Sequence, residues 1–408
     1  MKVLQINSVC GVGSTGRIAT DIYSVLKEQG HECKIAYGRD KAQHILEEDT
    51  IKIGTDFDLK THALKTRITD KTGFYSKKAT KKFLEEVRRY NPDIIHLHNI
   101  HGYYLNIELL FKYLANANKP VVWTLHDCWA FTGHCSHFDY VGCDKWKKNC
   151  CNCPQKNEYP KSICLDNSSW NYQNKKRVFT SVKNLTIITP SKWLANLVKD
   201  SFLNQYEVEV INNGIDINVF KPIKNNYRIE NNLLDKKIVL GVASTWNERK
   251  GFKDFIELSK ILDINFQIIL VGLSKKQLES LPLNIIGIKR TNNVKELAEL
   301  YSMADVFVNP TYEDNFPTTN LEAMACGTPV ITYNTGGSPE SLLSDSGSVI
   351  EKGDIFELKK CIENKTDNRE FMSATLFDKE ITYKRYQELY ETHISKKQIL
   401  KADKKELL

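Results

Sequence analysis

Short apolar runs alternate along the whole chain with longer stretches of helical periodicity. VLQIN at 3–7, then ECKIAYG, DIIHLHN, PVVWTLHD, LTIITPS and YEVEVIN each read as a strand. Unbroken runs of aliphatic residues are what a parallel sheet covered on both faces demands. After a polar linker, KPIKNNYRIENNLLD, the pattern resumes with KIVLGVAS, FQIILVGL, NIIGIKR, DVFVNP, PVITYN and GSVIE. Strands alternating with helices predict α/β architecture, and the second start predicts two doubly wound, Rossmann-like domains divided near residue 215. No fixed short period repeats, which excludes a solenoid.

The densest chemistry lies in NPTYEDNFPTTNLEAMACGTPVITYNTGGSPE, from Asn309 to Glu340. It reads as strand, polar turn, a helix closing on Gly327, and strand, a βαβ unit whose ligands bind beyond the carboxyl ends of the strands. Asp314, the N–H groups of Phe316, Thr318 and Thr319, and Glu322 are expected there, since a helix N-terminus presents unpaired N–H groups to anions. Seven residues separate Asp314 from Glu322, a spacing that suits a diphosphate flanked by two sugars. For Glu322 alone, simple complementarity to the helix dipole is the competing reading.

This stretch resembles the acidic signature of retaining nucleotide-sugar glycosyltransferases of the GT-B fold, family four. Their pattern is Glu, seven residues, Glu, then Ala-Met-Ala-Cys-Gly-Thr-Pro-Val, and LEAMACGTPV matches its tail. Asp314 replaces the first glutamate, and Pro317, which has no N–H to offer a phosphate, stands where glycine is usual. The resemblance implies two Rossmann-like domains facing across a cleft. It also implies a last helix, from about 376, that folds back over the first domain, and a donor that is a UDP- or GDP-sugar bound by 216–375.

The resemblance further implies roles for particular residues. Lys250, before Gly251 in TWNERKGFKDFIEL, matches the family's phosphate lysine, whereas Ser244 stands where an arginine is usual and Arg249 is the candidate substitute. NNGID matches the hinge element, and Gly336 and Gly337 the second phosphate-side glycine pair. His126 matches the histidine that lies against the transferred sugar. Gly16 matches the glycine that admits the donor phosphates. No catalytic metal is implied. The acceptor would be a glycan or lipid-linked hydroxyl in surface polysaccharide synthesis, with an inactive nucleotide-sugar-binding scaffold and a metal-dependent hydrolase as alternatives.

Gly11, Gly13 and Gly16 also spell G-x-G-x-x-G after the first strand. A dinucleotide site needs an acid at the end of the second strand, which here ends in Gly38 and Arg39, so NAD is disfavoured. In HLHNIH, His96, His98 and His101 suggest a metal site, but no carboxylate completes a matching set nearby, which favours polar lining.

Seven of the eleven cysteines fall between residues 128 and 164. In a chain of 408 residues without an apparent export signal, such density points to thiolate metal ligation rather than disulfides. Cys135, Cys143, Cys150 and Cys153 are the expected ligands of a structural zinc, with reduced buried thiols as the competing reading. The segment resembles a cysteine-rich insertion of exopolysaccharide-type family members.

Composition changes this picture little. The net charge of +7, from 57 basic and 50 acidic residues, is too small to imply nucleic acid and suits anionic substrates or a membrane surface. Residues 65 to 89 are strongly basic with Phe74, Tyr75 and Phe83 interleaved, which reads either as a solvated face or as contact with an anionic leaflet. No run is long enough to span a bilayer, so a cytosolic, peripheral protein is expected. Residues 396 to 408 read as a frayed basic tail.

Overall fold

Seven strands, β1 (Lys2–Asn7), β2 (Glu32–Tyr37), β3 (Thr50–Lys52), β4 (Ile94–Leu97), β5 (Val121–Thr124), β6 (Leu185–Thr189) and β7 (Glu207–Val210), form one sheet. Its order is β3-β2-β1-β4-β5-β6-β7, and the pairings are parallel. Six more, β8 (Lys237–Val242), β9 (Phe266–Val271), β10 (Ile285–Ile288), β11 (Val306–Asn309), β12 (Val330–Tyr333) and β13 (Gly347–Ile350), form a second parallel sheet in the order β10-β9-β8-β11-β12-β13. The computed structural model describes residues 1–343, 346–365 and 374–406, with side chains of the last helix as far as Lys397.

The strand order follows from the sequence pattern. All four residues of β4, β5, β11 and β12 are buried, as central strands with helices on both faces must be. In each sheet the order reverses once, between β1 and β4 in the first and between β8 and β11 in the second. Loops diverge to opposite faces at such a point and leave a crevice at the carboxyl ends of the strands. The short β3, at the edge of the first sheet, was not expected from the sequence.

The chain divides into two compact units, Met1–Asn212 with Thr382–Leu408, and Asn213–Ile381. Tyr383, Tyr386 and Tyr390 of the helix Lys379–Glu406 are buried in the first unit, in one core with Ile18, Ile22 and Leu26 of the helix Gly13–Glu28. Tyr390 OH lies 2.6 Å from His96 Nδ1 and Tyr386 OH 3.0 Å from Thr124 Oγ1. The backbone stays helical to Glu406, through most of the stretch read as a frayed tail. Residues 407 and 408 lie outside the described residues.

The basic stretch requires a correction. The helix Lys77–Tyr90 buries Phe83, Leu84 and Val87 and turns Lys78, Lys81 and Lys82 outward, while Phe74 is buried before it. Phe83 therefore points to the core, because helical periodicity places it on the face opposite the lysines, while Tyr75, before the helix, is only partly buried. Among the described residues, no helix is long and apolar enough to cross a membrane.

Candidate functional site

At the reversal point of the second sheet, the loop after β8 and the loop after β11 are fastened together. Gly251 caps the helix Phe252–Ile261 with φ +75°, and a Cβ there would lie 2.1 Å from the carbonyl oxygen of Pro310. Only glycine permits both that conformation and that approach. The close contact aligns the two loops: the N–H of Tyr312 donates to the Arg249 carbonyl at 2.8 Å, and Arg249 Nη1 donates to the Glu313 carbonyl at 2.9 Å. Lys250 Nζ then reaches Asp314 Oδ2 at 2.5 Å, with both side chains about one-fifth exposed. Arg249 thus ties down the loop that carries Asp314, and Ser244 lies exposed beyond β8.

Gly336 and Gly337 join the same cluster from the loop after β12. Gly337 N–H donates to the Asp314 carbonyl at 3.0 Å, and a Cβ on Gly336, at φ +55°, would sit 2.1 Å from that oxygen. This close approach to Asp314 explains the glycine at 336. Behind the lysine, Tyr333 OH donates to Asp254 Oδ2 at 2.7 Å and Tyr312 OH to Oδ1 at 3.2 Å. Burial raises the pKa of Asp254, with the two hydroxyls opposing the shift.

The helix Thr318–Ala325 begins after Pro317, which supplies no side-chain cap. Its first turn holds Thr318 and Thr319, and Phe316 is buried beside Phe377. Glu322 lies one turn further on, only 3% exposed, and accepts a hydrogen bond from Tyr301 OH at 3.1 Å. Tyr301 was missed by the sequence reading, since nothing in its helix singles it out from core aromatics.

In the first unit, His126 follows β5, where a chain of buried polar groups fixes its proton. Gln5 Nε2 donates to the Ala19 carbonyl at 2.9 Å, so Gln5 Oε1 is the acceptor that faces His98 Nε2 at 2.9 Å. A neutral His98 must then carry its proton on Nε2 and accept on Nδ1. His126 Nε2, 3.0 Å from that nitrogen, is the donor. The N–H at Nε2 leaves Nδ1 of His126 as an acceptor. Burial pushes the pKa of His126 down to about 4, partly opposed by Asp127, and holds His96 and His98 well below the usual histidine range. Alongside, His101 Nε2 meets Asp127 Oδ2 at 2.8 Å and His101 Nδ1 meets Tyr159 OH at 2.9 Å. Burial disfavours the Asp127 charge, yet His101 and the Trp129 N–H hold its pKa down to about 2.

Gly16 lies inside the helix Gly13–Glu28, where a Cβ would come within 3.1 Å of the Gly11 nitrogen. Its lack of a side chain lets the helix pack on the turn after β1.

Cys135, Cys143, Cys150 and Cys153 line one apolar pocket with Phe138 and Trp146. The proximity of Cys135 and Cys153 lowers the pKa of Cys153 and raises that of Cys135. Cys150 accepts from the Gly133 N–H at 3.2 Å, and burial pushes its pKa up to about 11. Among the described residues, no three His, Cys, Asp or Glu side chains are gathered as a metal-ligand set. The structure thus brings the four thiols to one place without closing them on a common point. The buried Lys175 pins the start of the segment, donating to the carbonyls of Trp129 at 2.8 Å and Thr132 at 3.1 Å.

Two parallel doubly wound α/β units are the architecture of glycosyltransferases of the GT-B fold. Family models match successive parts of the chain: Glycosyltransferase Family 4 over residues 15–219, and Glycosyl transferases group 1 over residues 223–375. The first match spans half of the sequence, and the chain belongs to glycosyltransferase family 4. It is 23% identical over 373 residues to a protein of Escherichia coli (strain K12) named as the colanic acid biosynthesis glycosyl transferase WcaC, covering 88% of this chain and 89% of that one. It is 30% identical over 164 residues to the N,N'-diacetylbacillosaminyl-diphospho-undecaprenol alpha-1,3-N-acetylgalactosaminyltransferase of Campylobacter jejuni, covering 36% of this chain and 42% of that one. The crystal structure of Anabaena HepE in complex with UDP shares the fold, with a TM-score of 0.67 at 15% identity over 96% of this chain and 100% of that one.

Proposed function

We propose that the chain transfers a sugar, with retained anomeric configuration, from a UDP- or GDP-sugar to a hydroxyl of a glycan or lipid-linked acceptor in surface polysaccharide synthesis. The Lys250–Asp314 pair carries this reading, because it sets an ammonium and a carboxylate at the reversal point of the second sheet, where ligands of such sheets bind. Asp314 holds the ammonium in place before donor arrives. Lys250 would then neutralise the departing diphosphate, a preorganised electrostatic effect that needs no divalent metal for the transfer step. Asp314 would hold a sugar hydroxyl, Glu322 the ribose, and the N–H groups of Phe316, Thr318 and Thr319 the phosphates. His126, held neutral, would orient the sugar ring.

No protein nucleophile enters this mechanism. The bond from the anomeric carbon to the diphosphate oxygen breaks, the acceptor oxygen bonds to the same face, and a diphosphate oxygen takes the acceptor proton. Support for the donor class comes from the UDP-bound neighbour, and for the acceptor class from the colanic acid and diphospho-undecaprenol relatives. Incubation with a panel of UDP- and GDP-sugars should release free nucleotide with one or a few of them. Proton NMR of the product then reads the anomeric configuration. Turnover with an inverted product would overturn the retaining step, and no nucleotide binding at all would overturn the reading.

A further inference from the structure

The surface of the first unit carries a patch that catalysis does not use. On the helix Asp56–Thr69, Phe57, Leu64 and Ile68 stand exposed at helical spacing, Leu64 at 59%. The segment 162–167 is fastened beside the end of this helix: Ile163 N–H donates to the Arg67 carbonyl at 2.7 Å and Leu165 N–H to the Ile68 carbonyl at 3.3 Å. Ile163 and Leu165 are themselves exposed, at 63% and 51%. Lys71 Nζ sits 4.4 Å from the ring centroid of the half-exposed Trp170. The apolar side chains thus come from two separate pieces of chain held together by backbone hydrogen bonds, in a segment rich in charged alternatives.

Cations rim this patch. Lys60, Lys65, Arg67 and Lys161 are exposed, and among the described residues none of them forms an ion pair with a carboxylate. The nearby acids are Asp56 and Asp58 at the start of the helix and Asp166, whose oxygens accept from the Cys153 and Ser168 N–H groups. Aliphatic side chains, an aromatic at the edge and basic residues without carboxylate partners around them are the chemistry of a surface that lies in the headgroup region of an anionic bilayer. We propose that this patch, and not the lysine-rich face of Lys77–Tyr90, docks the protein on an anionic lipid surface. The proposal deepens the reading of a lipid-linked acceptor, but vesicle binding requires no transfer, so the two can fail separately.

Co-sedimentation of the full chain with phosphatidylcholine vesicles containing phosphatidylglycerol, beside pure phosphatidylcholine, tests it. Wild-type protein should prefer the anionic vesicles, and salt should weaken the binding. Ile163→Ser with Leu165→Ser, and separately Leu64→Ser with Ile68→Ser, should each lower partitioning about tenfold or more, with circular dichroism unchanged because all four side chains are exposed. Lys65→Ser with Arg67→Ser should lower binding to the anionic vesicles alone. Lys77→Ser, Lys78→Ser, Lys81→Ser and Lys82→Ser together should retain most of it. Equal binding by wild type and both apolar variants overturns the proposal, as does loss confined to the variant of the lysine-rich helix. A concentration-dependent dimer that the apolar variants abolish, without vesicle binding, would assign the patch to a second copy of the chain instead.

Discussion

His126 donates from Nε2 to Nδ1 of His98 at 3.0 Å, with the His98 ring buried and the His126 ring partly so. Each imidazole is neutral in the folded protein, and the unfolded chain protonates near pH 6.5. Between the folded and unfolded pKa values the unfolded state binds more protons, so stability rises with pH through that window and levels off above it. For His126 the window runs from about 4 to 6.5, and His62, pushed down to about 3 by burial, extends it. Urea unfolding should lose on the order of 1.4 kcal/mol per pH unit for each independent histidine as pH falls below about 6.5. A midpoint unchanged between pH 7 and about 5 would mean that these rings are hydrated.

Lys250→Ala should cut turnover by roughly a hundredfold or more, because the contact it removes strengthens as charge develops on the diphosphate. His126→Ala should slow transfer and leave nucleotide affinity nearly intact. Calorimetry with nucleoside diphosphate beside transfer kinetics checks both. Wild-type affinity and rate in Lys250→Ala would place the diphosphate elsewhere.

Gly336→Ala tests the backbone contact under Asp314. The new methyl group would meet the Asp314 carbonyl at 2.1 Å in a left-handed conformation, a cost of at least about 1–2 kcal/mol from the conformation alone. The melting temperature should fall, and nucleotide affinity should fall with it because Asp314 must move. Ser338→Ala, two residues on, is the comparison that should move less.

Tyr301→Phe removes one donor from the buried carboxylate of Glu322. Hydrogen bonds to charged groups contribute about 1.5–3 kcal/mol, so a stability loss of that order is expected, read from denaturant midpoints. Glu322→Gln in the same background should recover part of it, since a neutral amide tolerates the loss of a donor better than a buried charge does.

Cys153 should alkylate at a lower pH than Cys135 and Cys150, because thiolate and not thiol is the nucleophile. Peptide mapping after brief treatment reads the sites. Elemental analysis belongs beside it: a zinc ion held by all four thiolates would protect the whole set, and about one zinc per chain would accompany that protection.

The strands, the βαβ unit and the place of Asp314 and Lys250 were legible because parallel sheets leave long apolar runs and turns leave glycines. Phe83 misled, because a residue adjacent in sequence to lysines shares no face with them on a helix, and Phe74 because the loop before that helix buries it. The His98–His126 bond was out of reach. It depends on β4 and β5 lying side by side in register, Leu97 opposite Trp123, and no local pattern reports that. Tyr301 was hidden for the same reason, since its partner comes from a different helix.

The buried contacts of Tyr383, Tyr386 and Tyr390 also bear on how the protein is made. The first unit is the one begun earliest on the ribosome, yet the hydrogen bonds of its His96 and Thr124 are made to tyrosines synthesised 294 and 262 residues later. The second unit, an uninterrupted segment from Asn213 to Ile381, is complete before those tyrosines emerge. A nascent chain can therefore finish its second half while the first still waits, with buried histidines open to water, for its closing helix. The usual order, in which the N-terminal domain folds first, is reversed at its final step.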